Sequence, residues 1–176
     1  DALRLARGMT YKAALAGIAH GGGKSVIMLP QRQFDRAALF RAFGRFIDDL
    51  NGQYITAADS GTGRGDMEVI RTVTKHVTGV DVSHGGSGDP SPFTALGVRR
   101  GIEACVKFAL GKDSLKGIHV AVQGVGHVGY YLCKELAAAG ASLTVADVDP
   151  LKAERAQREF GAKTVNLDAI YSVECD

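Results

Sequence analysis

The sequence predicts an α/β fold built in two parts, on three observations. A β-branched run at residues 119–123 leads into Gly124, Gly126 and Gly129, and a helical run then leads to a second strand closed by Asp147. Ahead of it, helical and extended stretches alternate from residue 2 to residue 74. Between them lies a loop-rich stretch, residues 77–92, with Gly79, Gly85, Gly86, Gly88, Pro90 and Pro92, the composition at which domains divide. The expected division is residues 1–80 and 81–176.

Each element has its own reason. Leu3, Ala6, Met9, Ala13 and Ala16 recur at three- and four-residue spacing, a helix over residues 2–16 that the glycine-rich residues 17–23 break. Residues 25–29 read as a strand of Val, Ile, Met and Leu. Asp35 is placed to cap a helix through Leu50, with Leu39, Phe40, Phe43, Phe46, Ile47 and Leu50 as its buried face. Asn51-Gly52 is a turn, residues 54–57 a short strand, and residues 66–74 a short helix. Ser91 is placed to cap a long helix over residues 92–110, with Pro92 at its permissive first position. Residues 128–139 form a helix stopped by Gly140, and residues 143–146 a strand. Asp149 caps a helix through Phe160, with Pro150 just inside and Gly161 at its end, and residues 164–165 continue the sheet.

The glycine unit carries the clearest chemistry. Gly124 permits a tight turn out of the strand, Gly126 lets backbone approach a pyrophosphate, and Gly129 lets the helix pack closely on the strand. Val125, His127 and Val128 complete the turn, whose helix N-terminus offers free N–H groups and a positive dipole end to phosphate. Asp147 follows Gly129 by 18 residues, the position of a carboxylate that binds ribose hydroxyls and disfavours a 2′-phosphate. The expected cofactor is therefore NAD rather than NADP. The plainer alternative is an ordinary βαβ unit with a glycine turn.

Composition bounds the rest. The chain has 176 residues, 45% hydrophobic and 23% charged, enough for one domain or two small ones. A net charge of +2 gives no bias toward nucleic acid or an acidic membrane, and no apolar run is long enough to span a bilayer. Cys105, Cys133 and Cys175 lack C-x-x-C spacing and read as buried free thiols in a reducing, cytoplasmic setting; no metal site is expected. The first residue is Asp1 and residues 171–176 read as the opening of a strand, so the expectation is part of a longer protein.

The loop His20-Gly21-Gly22-Gly23-Lys24-Ser25 admits several readings. A phosphate-binding P-loop needs glycine or alanine where Ile18 stands, and it should follow a strand and open a helix rather than precede a strand. The alternative is a catalytic Lys24 with room around it, facing Lys12 across a cleft for an anionic substrate. Each ammonium would then disfavour protonation of the other. Lys12 is equally read as a solvated helix charge, and Asp59 either as an acid–base group at a strand end or as a turn residue.

Several motifs in order carry a family resemblance across essentially the whole chain. Arg7-Gly8-Met9-Thr10-Tyr11-Lys12 is followed by Ala16-Gly17 and Gly21-Gly22-Gly23-Lys24. Then come Tyr54-Ile55-Thr56-Ala57-Ala58-Asp59-Ser60-Gly61-Thr62, Gly88-Asp89-Pro90-Ser91-Pro92-Phe93-Thr94-Ala95, and Val122-Gln123-Gly124-Val125-Gly126 through Gly129. Together these resemble the amino-acid dehydrogenases of the glutamate, leucine, phenylalanine and valine family. The resemblance implies a partial α/β substrate domain followed by the first part of a Rossmann dinucleotide-binding domain. It implies NAD-dependent, reversible oxidative deamination of an aliphatic, leucine-type L-amino acid to a 2-oxo acid and ammonium, in a homo-oligomer. Phenylalanine or valine as substrate is the alternative within the family, and a non-catalytic NAD-binding module the alternative outside it.

By the same resemblance Lys12 holds the substrate carboxylate, Lys24 and Asp59 are catalytic, and Gly22, Gly23 and Ala57 border the side-chain pocket. Thr94 would contact the nicotinamide carboxamide, and the turn from Gly124 to Gly129 with Asp147 would hold the rest of the cofactor. Ser25-Val26 stands where glutamate-specific relatives carry Gly-Gly, which argues against glutamate. Arg99 and Arg100 are expected on a solvated helix face or a subunit contact.

Overall fold

Two units, residues 1–89 and 90–176, make up the computed structural model, which describes all of residues 1–176. In the first, α1 (Ala2–Ala16) ends at Gly17, as its spacing predicts. A segment without regular structure leads to α2 (Arg36–Asp49), whose first turn is capped by the Asp35 carboxylate accepting the Ala38 N–H at 3.0 Å. A short connection follows to α3 (Arg64–Arg71). Gly44 lets α2 meet the end of α3 and the chain after it, for a Cβ there would lie 2.4 Å from Val73 Cγ2 and 3.3 Å from the Ile70 carbonyl oxygen. Phe40, Met67, Ile70, Val77 and Val80 form the core of this unit.

Phe46 departs from the expected buried face and is 60% exposed. It sits roughly 120° round the helix from Phe40, while Gly44 and Ile47 complete the buried stripe. The strand expected at residues 25–29 is chain without regular structure, with Met28 89% exposed. Its β-branched composition is real, but no neighbouring strand within these residues pairs with it. Residues 54–57 likewise reduce to one parallel bridge, Thr56 with Val77.

The second unit opens with α4 (Ser91–Leu110). Ser91 is its buried first residue rather than its cap; Pro90 takes the cap position, and its carbonyl accepts the Thr94 N–H at 3.0 Å. Then come β1 (His119–Gln123), α5 (His127–Ala138), β2 (Ser142–Ala146), α6 (Pro150–Phe160) and β3 (Lys163–Thr164). The strands form a parallel sheet in the order β1-β2-β3, with His119 opposite Ser142 and Gln123 opposite Ala146. Residues 143–146 of β2 are all buried, which explains a run, Leu-Thr-Val-Ala, that carries no charge on either face. Leu132, Cys133 and Leu136 of α5 pack into the same core as Val122 and Val145.

Three further expectations change. Residues 167–172 form a 3₁₀ turn, so the strand-like reading of residues 171–176 survives only as Asp176 pairing with His119 on β1. Of the cysteines only Cys133 is buried; Cys105 and Cys175 are exposed. Arg99 is not simply solvated: it bonds Glu103 within α4 at 2.9 Å and Glu135 of α5 at 2.7 Å, tying the two helices together.

Candidate functional site

In the first unit the glycine loop is shaped by what it touches. A Cβ on Gly22 would lie 2.0 Å from the Ala6 carbonyl and 2.4 Å from the Thr10 nitrogen, so the loop backbone lies directly on α1. A Cβ on Gly23 would lie 2.6 Å from the Tyr54 ring. Only glycine admits both contacts, and together they deliver Lys24 to the end of the extended run that carries Asp59.

There Lys24 donates a hydrogen bond to Asp59 Oδ2. The other carboxylate oxygen, Oδ1, accepts the Ser60 N–H at 2.8 Å. Thr62 Oγ1 accepts the Asp59 N–H and donates to the Asp59 carbonyl, both at 2.8 Å. The Lys24 hydrogen bond, then the Ser60 N–H, hold the Asp59 carboxyl below the usual carboxylate range; partial burial opposes them, and the charges of Lys24 and Lys12 add to the lowering. Asp59 is thus ionised at neutral pH. Lys12 lies exposed on α1, within electrostatic reach of this carboxylate. Both lysines therefore act on Asp59, and Lys24 bonds it.

Ala57 is exposed two residues before Asp59. His20 is exposed at the foot of the glycine loop and donates its N–H to Ile18. Sequence reasoning missed three residues that hold the loop after Asp59: Thr62, Arg36 and Asp66. Arg36 Nε and Nη2 bond both oxygens of Asp66 at 2.8 and 2.9 Å, and Nη2 also bonds the Gly61 carbonyl at 2.8 Å. The Asp66 carboxylate accepts the Gly63 N–H at 2.9 Å, a helix-start pattern that its three-residue spacing could have signalled. The pairing with Arg36, 30 residues away, left no local trace.

In the second unit the turn between β1 and α5 is shaped by its three glycines. Gly124 has φ of 88°, which places the chain in the left-handed region. A Cβ on Gly129 would lie 2.0 Å from the Gly124 carbonyl oxygen, the close helix-to-turn packing its position requires. A Cβ on Gly126 would meet no atom within 4 Å, so the space before α5 is open. The N–H groups of His127, Val128 and Gly129 have no carbonyl four residues back within the helix and face that space. Val125 is buried and donates its N–H to Asp147 Oδ2 at 2.6 Å; Asp147 Oδ1 accepts the Asp149 N–H at 2.8 Å. These bonds fix the carboxylate at the end of β2 while leaving each oxygen a free lone pair. Thr94 is exposed in the first turn of α4, its hydroxyl donating to the Pro90 carbonyl at 3.1 Å.

The second unit is thus a parallel βαβαβ arrangement of the α/β class, with an open glycine turn after its first strand and a carboxylate after its second. The family description Glu/Leu/Phe/Val dehydrogenase, dimerisation domain, matches residues 1–76, and Glutamate/Leucine/Phenylalanine/Valine dehydrogenase matches residues 85–150. The chain belongs to this family. It is 57% identical over 176 residues to leucine dehydrogenase of Thermoactinomyces intermedius, covering 100% of this chain and 48% of the relative. The crystal structure of L-tryptophan dehydrogenase from Nostoc punctiforme matches with TM-score 0.69 at 45% identity, covering 100% of this chain and 48% of that one. The hetero-hexameric glutamate dehydrogenase of Thermus thermophilus, in its leucine-bound form, matches with TM-score 0.73 at 25% identity, covering 97% and 47%. The chain spans about half the length of the curated relatives it matches.

Proposed function

We propose that these residues belong to an NAD-dependent L-amino-acid dehydrogenase that oxidatively deaminates a leucine-type substrate to its 2-oxo acid and ammonium. The observation that carries the reading is the Lys24–Asp59 pair, with Lys12 acting on the same carboxylate, in a chain that also holds a dinucleotide turn. Leucine stands first because a relative named for leucine is more alike in sequence than the structure named for tryptophan.

Bound NAD would accept the hydride from the substrate Cα. The residues of the turn fit that cofactor: the N–H groups at the start of α5 would receive the pyrophosphate beside Gly126, and Asp147 the ribose hydroxyls. The carboxyl side chain of Asp147 at this position would disfavour a 2′-phosphate, which supports NAD over NADP. Thr94 would orient the nicotinamide through its carboxamide. On the substrate side, Lys12 would hold the carboxylate, and positioning of this kind supplies much of the rate. Lys24 would hold the reacting water against the carbon that loses the amine. Asp59, ionised and hydrogen-bonded to the Lys24 Nζ, would take the proton released there and return one to the departing ammonia. Ala57, Gly22 and Gly23 would border the pocket for the side chain.

Self-association into a homo-oligomer and a cytoplasmic location complete the reading. Leu3 and Leu15 on α1 are 89% and 90% exposed, in a region whose family description is a dimerisation domain. No helix is long and apolar enough to cross a membrane. The test is NADH formation by the full-length protein that carries these residues, offered L-leucine, L-valine, L-phenylalanine and L-glutamate. Turnover of leucine ahead of the others is expected; turnover of glutamate first would contradict the substrate assignment.

A further inference from the structure

The Asp59 carboxylate lies 62% exposed at the start of a glycine-bearing loop, yet it is held at a fixed point. Its own turn accounts for part of this, through Thr62 and Ser60. That turn is also held from outside. Arg36, the first residue of α2, sends one arm of its guanidinium to the Gly61 carbonyl and a fork to Asp66. Asp66 grips the Gly63 N–H. The carbonyl two residues after Asp59 and the N–H four residues after it are thereby fixed by one ion pair. The pair is seated firmly, since Asp66 is only 14% exposed and the guanidinium lies 5.0 Å from the centre of the Phe40 ring.

We propose that Arg36, through Asp66 and the Gly61 carbonyl, is a positioning residue that aligns Asp59 with Lys24. The inference rests on the catalytic role given to Asp59 above. Only arginine fits this position, because a lysine keeps the charge but cannot supply two parallel bonds to Asp66 and a third to Gly61. Arg36 touches neither Lys24 nor Asp59, so its effect must pass through the loop.

The experiment is a double-mutant cycle in the full-length protein, reading kcat, KM for the amino acid, NAD affinity and thermal melting. In the otherwise native protein, Arg36→Ala is expected to lower kcat about 10-fold or more, the order of loss for a misplaced catalytic group, with NAD affinity unchanged. In an Asp59→Asn background the same change is expected to cost less than about 2-fold, because the group it aligns no longer takes the proton. Arg36→Lys, which retains charge and length, supplies the same comparison if Arg36→Ala does not fold, and is expected to restore no more than part of kcat. Equal losses in both backgrounds mean a general structural role and overturn the inference, as does full activity of Arg36→Ala. An unmodified protein that turns over no amino acid overturns the catalytic reading itself and the inference with it; turnover with additive losses overturns the inference alone.

Discussion

Alanine at Gly126 and alanine at Gly129 should fail in opposite ways, although the two glycines stand three residues apart in one turn. At Gly126 the added methyl meets no atom within 4 Å, and its φ of −69° is negative, outside the left-handed region that favours glycine. Alanine loses a few tenths of a kcal/mol or somewhat more as a helix cap and recovers about as much by stiffening the unfolded chain, so net stability should change by less than about 1 kcal/mol. The methyl would instead occupy the space assigned to the pyrophosphate. NAD affinity should fall about 10-fold or more, equivalent to about 1.4 kcal/mol. At Gly129 the methyl would sit 2.0 Å from the Gly124 carbonyl oxygen and 3.0 Å from its carbon, backbone atoms that no rotamer change moves aside. Relief requires shifting α5 off the turn, at about 1–3 kcal/mol of folding stability. Urea denaturation of both full-length variants, paired with NAD titration by calorimetry, separates the effects. A Gly126→Ala protein that binds NAD like the unmodified one, or that loses as much stability as Gly129→Ala, would refute the assignment of that space.

Other consequences are open to equally direct measurement. Burial pushes the Cys133 thiol up to about 11, so native protein at pH 8 should take up alkylating reagent at Cys105 and Cys175 and leave Cys133 unmodified until denaturant is added; peptide mapping that finds early labelling at Cys133 contradicts its packing. Hydrogen bonding from Arg36, above all, holds the Asp66 carboxyl below its usual range. A depressed folded value means the stabilisation is present in full above the unfolded aspartate value near 3.9 and is lost as pH falls through the folded one. Asp66→Asn should therefore cost about 1 kcal/mol at pH 7 and progressively less as pH falls below the unfolded aspartate value near 3.9, by urea midpoints, and a cost that does not change with pH would argue against the ion pair. Asp147→Ser should lower the preference for NAD over NADP, measured as the ratio of kcat/KM, by about 10-fold or more, and an unchanged ratio would remove the ribose role from Asp147.

Local order was readable where the chain supplies its own partners. The spacing of apolar residues in α1, the Asp35 and Asp149 caps and the glycine turn before α5 are each decided within a few residues, and the structure has them. Residues 25–29 mark the limit: β-branched composition states a preference, while a strand exists only if a neighbour completes its ladder. The site divides along the same line. Lys24 and Asp59 were visible beside their glycines, but the ion pair joining them spans 35 residues and the Arg36 clamp spans 30, distances that composition and periodicity do not encode. The buried role assigned to Cys105 and Cys175 failed for a related reason: residue type gives an average burial, while the individual case is decided by place in the fold, an exposed face of α4 for Cys105 and irregular chain after residue 172 for Cys175.

The proposed amino-acid oxidation rests above all on the Lys24–Asp59 pair. The decisive measurement is the pH–rate profile for L-leucine oxidation by the full-length protein and its Lys24→Ala variant, with NAD affinity measured on both. Lys24→Ala is expected to bind NAD normally while kcat falls by about 100-fold or more and the dependence on pH changes shape. A Lys24→Ala protein with an unaltered rate and an unchanged profile would contradict the proposed chemistry, leaving the dinucleotide turn intact and the catalytic pair without its role.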